Sequence, residues 1–111
     1  MDKDKALKVS IITVVRNNKE TIKDAIDSVL SQTYKDIEYI VIDGGSTDGT
    51  VDIVKEYQDK ISVFISEPDE GIYDAMNKGI ALATGNVIGI LNSDDFYIDE
   101  FVIEKVVKEF D

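Results

Sequence analysis

Asn92-Ser93-Asp94-Asp95 sets two carboxylates side by side directly after an apolar run. Carboxylate oxygens are what hard divalent cations take as ligands. A cation held there could neutralise a diphosphate and stabilise it as a leaving group. The same four residues also read as a solvated turn with a helix cap. A second cluster is Asp43-Gly44-Gly45-Ser46-Thr47-Asp48-Gly49. Asp43 could accept hydrogen bonds from a base or ribose, and the two glycines after it would let a ligand approach the backbone closely. A strand-to-helix turn would use the same residues. Calcium loops and aspartyl-nucleophile phosphatases share this outline, but both want a second carboxylate where Gly45 stands. A third stretch runs from Glu67 to Gly79. Asp69 reads there as a cap, and Asp74, Asn77 and Lys78 as polar positions open to ligand or to solvent. Arg16 and Lys19 are candidate phosphate contacts.

These residues need a frame that brings them together. Val9–Val15 is rich in β-branched residues and predicts a buried strand. Asn17 with Glu20 three residues on offers a capping pair for a helix carrying Ile22, Ile26, Val29 and Leu30. Tyr39–Ile42 predicts a second strand, ending at the Asp43 loop. A helix with Val51, Val54 and Tyr57 follows, then a short strand near Ile61–Ile65. The next helix should bury Ile72, Met76, Ile80 and Ala83, with Gly85 as its stop. Val87–Leu91 predicts a strand apolar throughout, and Ile103, Val106, Val107 and Phe110 a final helix running to the last residue. Apolar strands alternating with helices imply an α/β fold, with a parallel sheet covered on both faces. Ligands of such sheets bind beyond the carboxyl ends of the strands. The loops after Val15, Ile42 and Leu91 should therefore share one edge.

Composition narrows the chemistry. At 111 residues the chain suits one domain over 1–111. It has no Cys and no His. Thiolate chemistry and the commonest general base are excluded, and any metal site must use oxygen ligands, which favours Mg²⁺, Mn²⁺ or Ca²⁺ over softer ions. The formal net charge of -11 argues against nucleic acid as a partner. It also means that an anionic ligand needs a cation or backbone N–H groups to bind. No apolar run has the length of a membrane span, and Met1-Asp2-Lys3-Asp4-Lys5 lacks the apolar segment of a signal peptide. A cytoplasmic location is the expectation, with membrane proximity only through parts beyond these residues.

In this order, Val9–Thr13, Ser28–Tyr34, Val41–Thr50, Gly71–Gly79 and Asn92–Asp95 resemble the family 2 glycosyltransferases. The resemblance implies a Rossmann-like GT-A fold, a three-layer αβα sandwich with a mostly parallel sheet. It implies a nucleotide-diphosphate sugar donor, commonly a uridine derivative, with Mg²⁺ or Mn²⁺. Thr13 and Val15 match positions that flank the base, Asp43 the first acidic position after the second strand, and Asp94 and Asp95 the acidic pair near metal and diphosphate. Asp95 is then the metal ligand, and Asp94 contacts ribose or metal; Asp74 is carried as a further donor-site candidate. The sequence departs from the pattern at Val15, where an aromatic residue often stacks on the base. It departs also at Gly44, where a second Asp often reads the base, and at Asn92, which replaces an acid. By the same resemblance the chain is the N-terminal, donor-binding part of a truncated enzyme, inactive alone. The acceptor, a glycan or lipid-linked glycan, and its catalytic base would belong to the missing half. A non-catalytic sugar-nucleotide-binding or interaction module is the alternative. A nucleotidyltransferase would want a Gly-rich loop after Val15, and a receiver domain an acidic pair there; Arg16-Asn17-Asn18 supplies neither.

Overall fold

The computed structural model describes residues 7–110, so the charged start Met1–Lys5 and the final Asp111 lie outside the described residues. The elements run β1 (Val9–Val15), α1 (Ile22–Leu30), β2 (Ile37–Asp43), α2 (Thr50–Lys55), a short 3-10 turn (Gln58–Lys60), β3 (Val63–Ser66), α3 (Ile72–Leu82), β4 (Val87–Ile90) and α4 (Val102–Lys108). The four strands form one parallel sheet in the order β3-β2-β1-β4. Among the described residues, no helix is long and apolar enough to cross a membrane.

The two faces of the sheet follow from alternation along β1. Val9, Ile11 and Val15 point to one side, where they meet Ile22, Ala25, Ile26 and Val29 of α1, Val54 of α2, and Ile103 and Val107 of α4. Ile12 and Val14 point to the other, with Ile40, Ile42 and Ala75 of α3. Helices thus cover both faces in three layers, the expected α/β arrangement of the GT-A type. β1 lies between β2 and β4, and all seven of its residues are buried.

Several local expectations change. Asn17 does not cap α1. Its backbone is left-handed (φ 52°), and its side chain is bound to the β2 loop instead. α1 begins after Thr21 with no side-chain cap. α3 packs on the sheet through Ala75 and Gly79, while Ile72 and Ile80 are 49% and 44% exposed. The close approach is the reason. A Cβ on Gly79 would stand 2.5 Å from the Cγ2 of Ile12, so a side chain there would force shifts costing about 1–3 kcal/mol. Gly85 is not the stop of α3, which ends at Leu82. A Cβ on Gly85 would meet the backbone of Lys8 and Ser10 within 3 Å, so this glycine lets two chain segments cross. β4 is covered on one face only. As an edge strand it leaves Ile88 and Ile90 more than 40% exposed. Tyr57 lies beyond the end of α2, and α4 buries Ile103 and Val107 but leaves Val106 and Phe110 exposed.

Candidate functional site

Because the strands are parallel, their carboxyl ends share one edge. The register places Val15 beside Asp43, and Gly44 N–H donates to the Val15 carbonyl (2.9 Å). On the other side of β1, Leu91 N–H donates to the Ile12 carbonyl (2.8 Å). The loop after β1 ties the two flanks together. Asn17 Oδ1 accepts from Thr47 N–H (2.7 Å) and Asn17 N–H donates to Ser46 Oγ (2.8 Å). Toward β4, Asn18 Nδ2 donates to Ser93 Oγ and Thr21 Oγ1 to the Ser93 carbonyl, both at 2.8 Å. The three loops that should meet do meet.

Between them lies a cleft of about 310 Å³. Val14 and Val15 of β1, Ile72 and Ala75 of α3, and Gly71 give it apolar walls. Arg16, Asn18, Asp69, Asn92, Ser93 and Asp94 supply its polar atoms. Flat apolar walls with a few convergent polar groups are the usual make-up of a small-molecule site. Arg16 makes no ion pair among the described residues, so its guanidinium is available to an anion.

The candidate residues fall into different places. Val15 and Asp94 line the cleft, and Asp95 follows in an exposed turn closed by Asp95 N–H to the Asn92 carbonyl (3.0 Å). Thr13 lies beneath it with no exposed surface, its Oγ1 paired with the Tyr39 hydroxyl at 2.8 Å. Burial pushes the Tyr39 phenol well up, with the Thr13 bond opposing in part, so that pair stays neutral and internal. Asp43 is also fully buried. Its Oδ2 accepts from Gly45 N–H (3.0 Å), Ser46 N–H (2.9 Å) and Ser66 Oγ (2.9 Å), and its Oδ1 from Ser46 Oγ. Asp74 stands outside the lining, where its carboxylate accepts from Glu70 N–H (2.9 Å) and lies 3.8 Å from Lys78 Nζ. Asp69 and Asn18, neither singled out as ligand contacts by the sequence, are in the wall. Gly44 held the signal for Asp69: a Cβ there would stand 2.7 Å from Asp69 Oδ2, so the side chain missing at one position leaves room for the other.

The carboxylates of Asp94 and Asp95 take no hydrogen bond or ion pair from the described residues. Asn92 Oδ1 is buried and has no hydrogen-bond partner among the described residues. Leaving such an acceptor unsatisfied costs about 1–3 kcal/mol, which a ligand at this spot would relieve. Two carboxylates and an amide oxygen fit Mg²⁺ or Mn²⁺, which keep waters or take phosphate oxygens for their remaining positions. No group of three or more acidic residues that could hold a metal occurs among the described residues.

Known proteins resemble this chain in sequence and fold. An uncharacterised glycosyltransferase of Mycobacterium tuberculosis is 40% identical over 101 residues, 90% of this chain and 38% of its own length. The chain thus spans well under half of that relative. The 1–349 portion of S. aureus TarS, in complex with UDP-GlcNAc, superposes with a TM-score of 0.83 at 25% identity, covering 92% of this chain and 30% of that portion. The mannosyltransferase PcManGT of Pyrobaculum calidifontis, in complex with GDP-Man and Mn²⁺, gives 0.82 at 24% identity, covering 95% and 34%. Residues 10–111 match the family described as Glycosyl transferase family 2, and with that match over nearly its whole length the chain belongs to glycosyl transferase family 2.

Proposed function

We propose that the cleft binds the nucleotide-diphosphate sugar of a glycosyl transfer. The observation that carries this reading is the set of oxygens without partners among the described residues at its β4 side: Asn92 Oδ1 and Asp94 in the lining, with Asp95 next in the chain. On a chain of net charge -11, a diphosphate needs positive charge nearby. Arg16 offers one source, and a divalent ion held by Asp95 and Asp94 offers the other. When bound, that ion would supply Lewis-acid stabilisation of the leaving diphosphate. The chain's own part is to hold the donor: Val15, Ile72 and Ala75 enclose the base, and Asn18 and Ser93 fix the loops on either side. The two solved neighbours carry different bases on one fold, so the fold does not set the base. The acceptor, a glycan or lipid-linked glycan, and the base that deprotonates it are assigned to the remainder of an enzyme of the relatives' length, in polysaccharide or glycoconjugate synthesis.

Asp95→Ala tests the reading. Calorimetric titration with a nucleoside diphosphate should show affinity that rises with Mn²⁺ in the parent protein and no longer rises in the variant. Unchanged Mn²⁺-dependent affinity would remove Asp95 from the site.

A further inference from the structure

We propose that Gln32 is a positioning residue of the donor site: it clamps the chain that follows Asp94 and Asp95, and so sets where the two carboxylates stand. This rests on the donor-binding reading above. Gln32 lies just beyond α1, is 1% exposed and lines no part of the cleft. Glutamine is mostly found at the surface, and a buried carboxamide needs partners. Gln32 has three. Its Nε2 donates to the Ser28 carbonyl (3.0 Å) and to the Asp99 carbonyl (2.8 Å), and its Oε1 accepts from Ile103 N–H (3.0 Å).

Each partner is a backbone group that its own element leaves open. Ser28 is in the last turn of α1, where helix carbonyls run out of helical donors. Ile103 N–H is in the first turn of α4, which has no side-chain cap of its own. Asp99 belongs to the loop that leads from Asp95 to α4. One amide thus joins the end of α1, the start of α4 and the loop between Asp95 and α4. Thr33 reinforces the joint: its N–H donates to the Glu100 carbonyl (2.8 Å) and its Oγ1 to Glu104 Oε2 (3.0 Å).

The acidic turn is therefore an arc fastened at two ends. Asn18 and Thr21 hold its near end through Ser93. Gln32 and Thr33 hold its far end through Asp99 and Glu100. Thr21 directly precedes α1 and Gln32 closely follows it, so one helix backs both fastenings. Between them, the described residues give Asp94–Ile98 one hydrogen bond, Asp95 N–H to the Asn92 carbonyl, and one apolar anchor, Tyr97 against the core. Two like charges sit on an arc with little hold of its own, so freeing its far end lets both carboxylates move. The residue type follows from the partners. Two carbonyls and one N–H ask for two donors and one acceptor on a single group, which a primary amide supplies. A glutamate would turn an oxygen toward two carbonyls. A methionine fills similar space and makes none of the three bonds.

Titrate the parent and Gln32→Met with UDP, in the presence and in the absence of Mn²⁺. Mn²⁺ should raise the parent's affinity for UDP. In the variant that gain should shrink about tenfold, the lower end for losing a group that orients metal ligands. UDP affinity without Mn²⁺ should stay as in the parent, because the walls from β1 and α3 do not hang on Gln32. An undiminished gain in a variant with the parent's circular dichroism would overturn the clamp and leave the donor reading intact. So would an equal loss with and without Mn²⁺, which is what a merely loosened fold produces. A parent without any gain from Mn²⁺ would overturn the metal-assisted donor reading, and the clamp with it. If Gln32→Met does not fold, hydrogen exchange in the parent decides. Coupling between two sites is reciprocal, so a clamp that favours the metal-binding arrangement must itself be tightened by the metal. Saturating Mn²⁺ added to the UDP complex should slow exchange at Ile103 N–H about tenfold more than at the amides of β2. Slowing at Ile103 no greater than in β2 would overturn the clamp.

Discussion

Two acidic segments flank the end of β1, and their carboxylates have opposite surroundings. Asp43, on the β2 side, is fully buried and accepts four hydrogen bonds from Gly45, Ser46 and Ser66. Asp94 and Asp95, on the β4 side, are exposed and accept none from the described residues. Residue type and position at a strand end are nearly the same. What differs is who supplies the donors. A buried carboxylate has to be saturated by the protein, and once saturated it has little left to offer a cation. A carboxylate meant for a cation has to be left open, at the expense of local repulsion between neighbours. An aspartate at a strand end is thus no evidence of ligand binding until its donors are counted.

The strongest way to break this contrast is Asp43→Ala. It would leave two backbone N–H groups and two serine hydroxyls without their acceptor beneath the loop. Single hydrogen bonds to charged groups contribute about 1.5–3 kcal/mol and do not add fully, so the expected loss of stability is about 3 kcal/mol or more. Urea unfolding followed by circular dichroism would read it. A loss below about 1 kcal/mol would mean that water replaces the carboxylate without difficulty, and the β2 side would not be the structural one.

A smaller effect is expected at the stitch between the flanks. Asn17 holds a left-handed backbone and accepts from Thr47 N–H. Asn17→Ala loses that bond and puts a less tolerant residue at φ 52°, for a combined cost of about 1–2 kcal/mol. Asn17→Gly should recover the backbone part but not the hydrogen bond. If both variants unfold at the parent's urea midpoint, the β1 loop does not couple the two sides.

Much of this layout was legible in the sequence. The β-branched run Val9–Val15 gave a buried strand, and parallel pairing then put three named loops on one edge. The misreadings share a physical origin. Periodicity chose Ile72, Met76, Ile80 and Ala83 as the buried face of α3; the sheet approaches so closely that Ala75 and Gly79 fill the contact, Met76 and Ala83 pack partly buried beside it, and Ile72 and Ile80 stay exposed. Asn17 had the residue type and spacing of a cap, yet its best donor was Thr47, thirty residues away in the chain, and no local pattern shows that. Gly44 read as a departure from the family pattern. Only the fold reveals Asp69 in the space it leaves. Likewise β4 was as apolar as β1, and nothing in its four residues said that it would be an edge strand with one face bare.

The smallest expected effect on folding is the sharpest on the β4 side. Asp94→Asn with Asp95→Asn removes two adjacent charges that no described residue neutralises, from a chain already at -11. Exposed substitutions of this kind stay within about 0.5 kcal/mol of the parent, and here the sign should favour the variant, because like-charge repulsion is relieved. Mn²⁺-dependent nucleotide affinity should disappear in the same protein. The comparison therefore predicts an uncoupling: binding lost with stability kept at Asp94 and Asp95, and stability lost first at Asp43. Urea unfolding and titration on one preparation of the double variant decide it. If the variant were less stable by more than about 1 kcal/mol, the pair would be holding the turn before α4 together. The turn-and-cap reading of Asn92-Ser93-Asp94-Asp95 would then replace the metal-site reading.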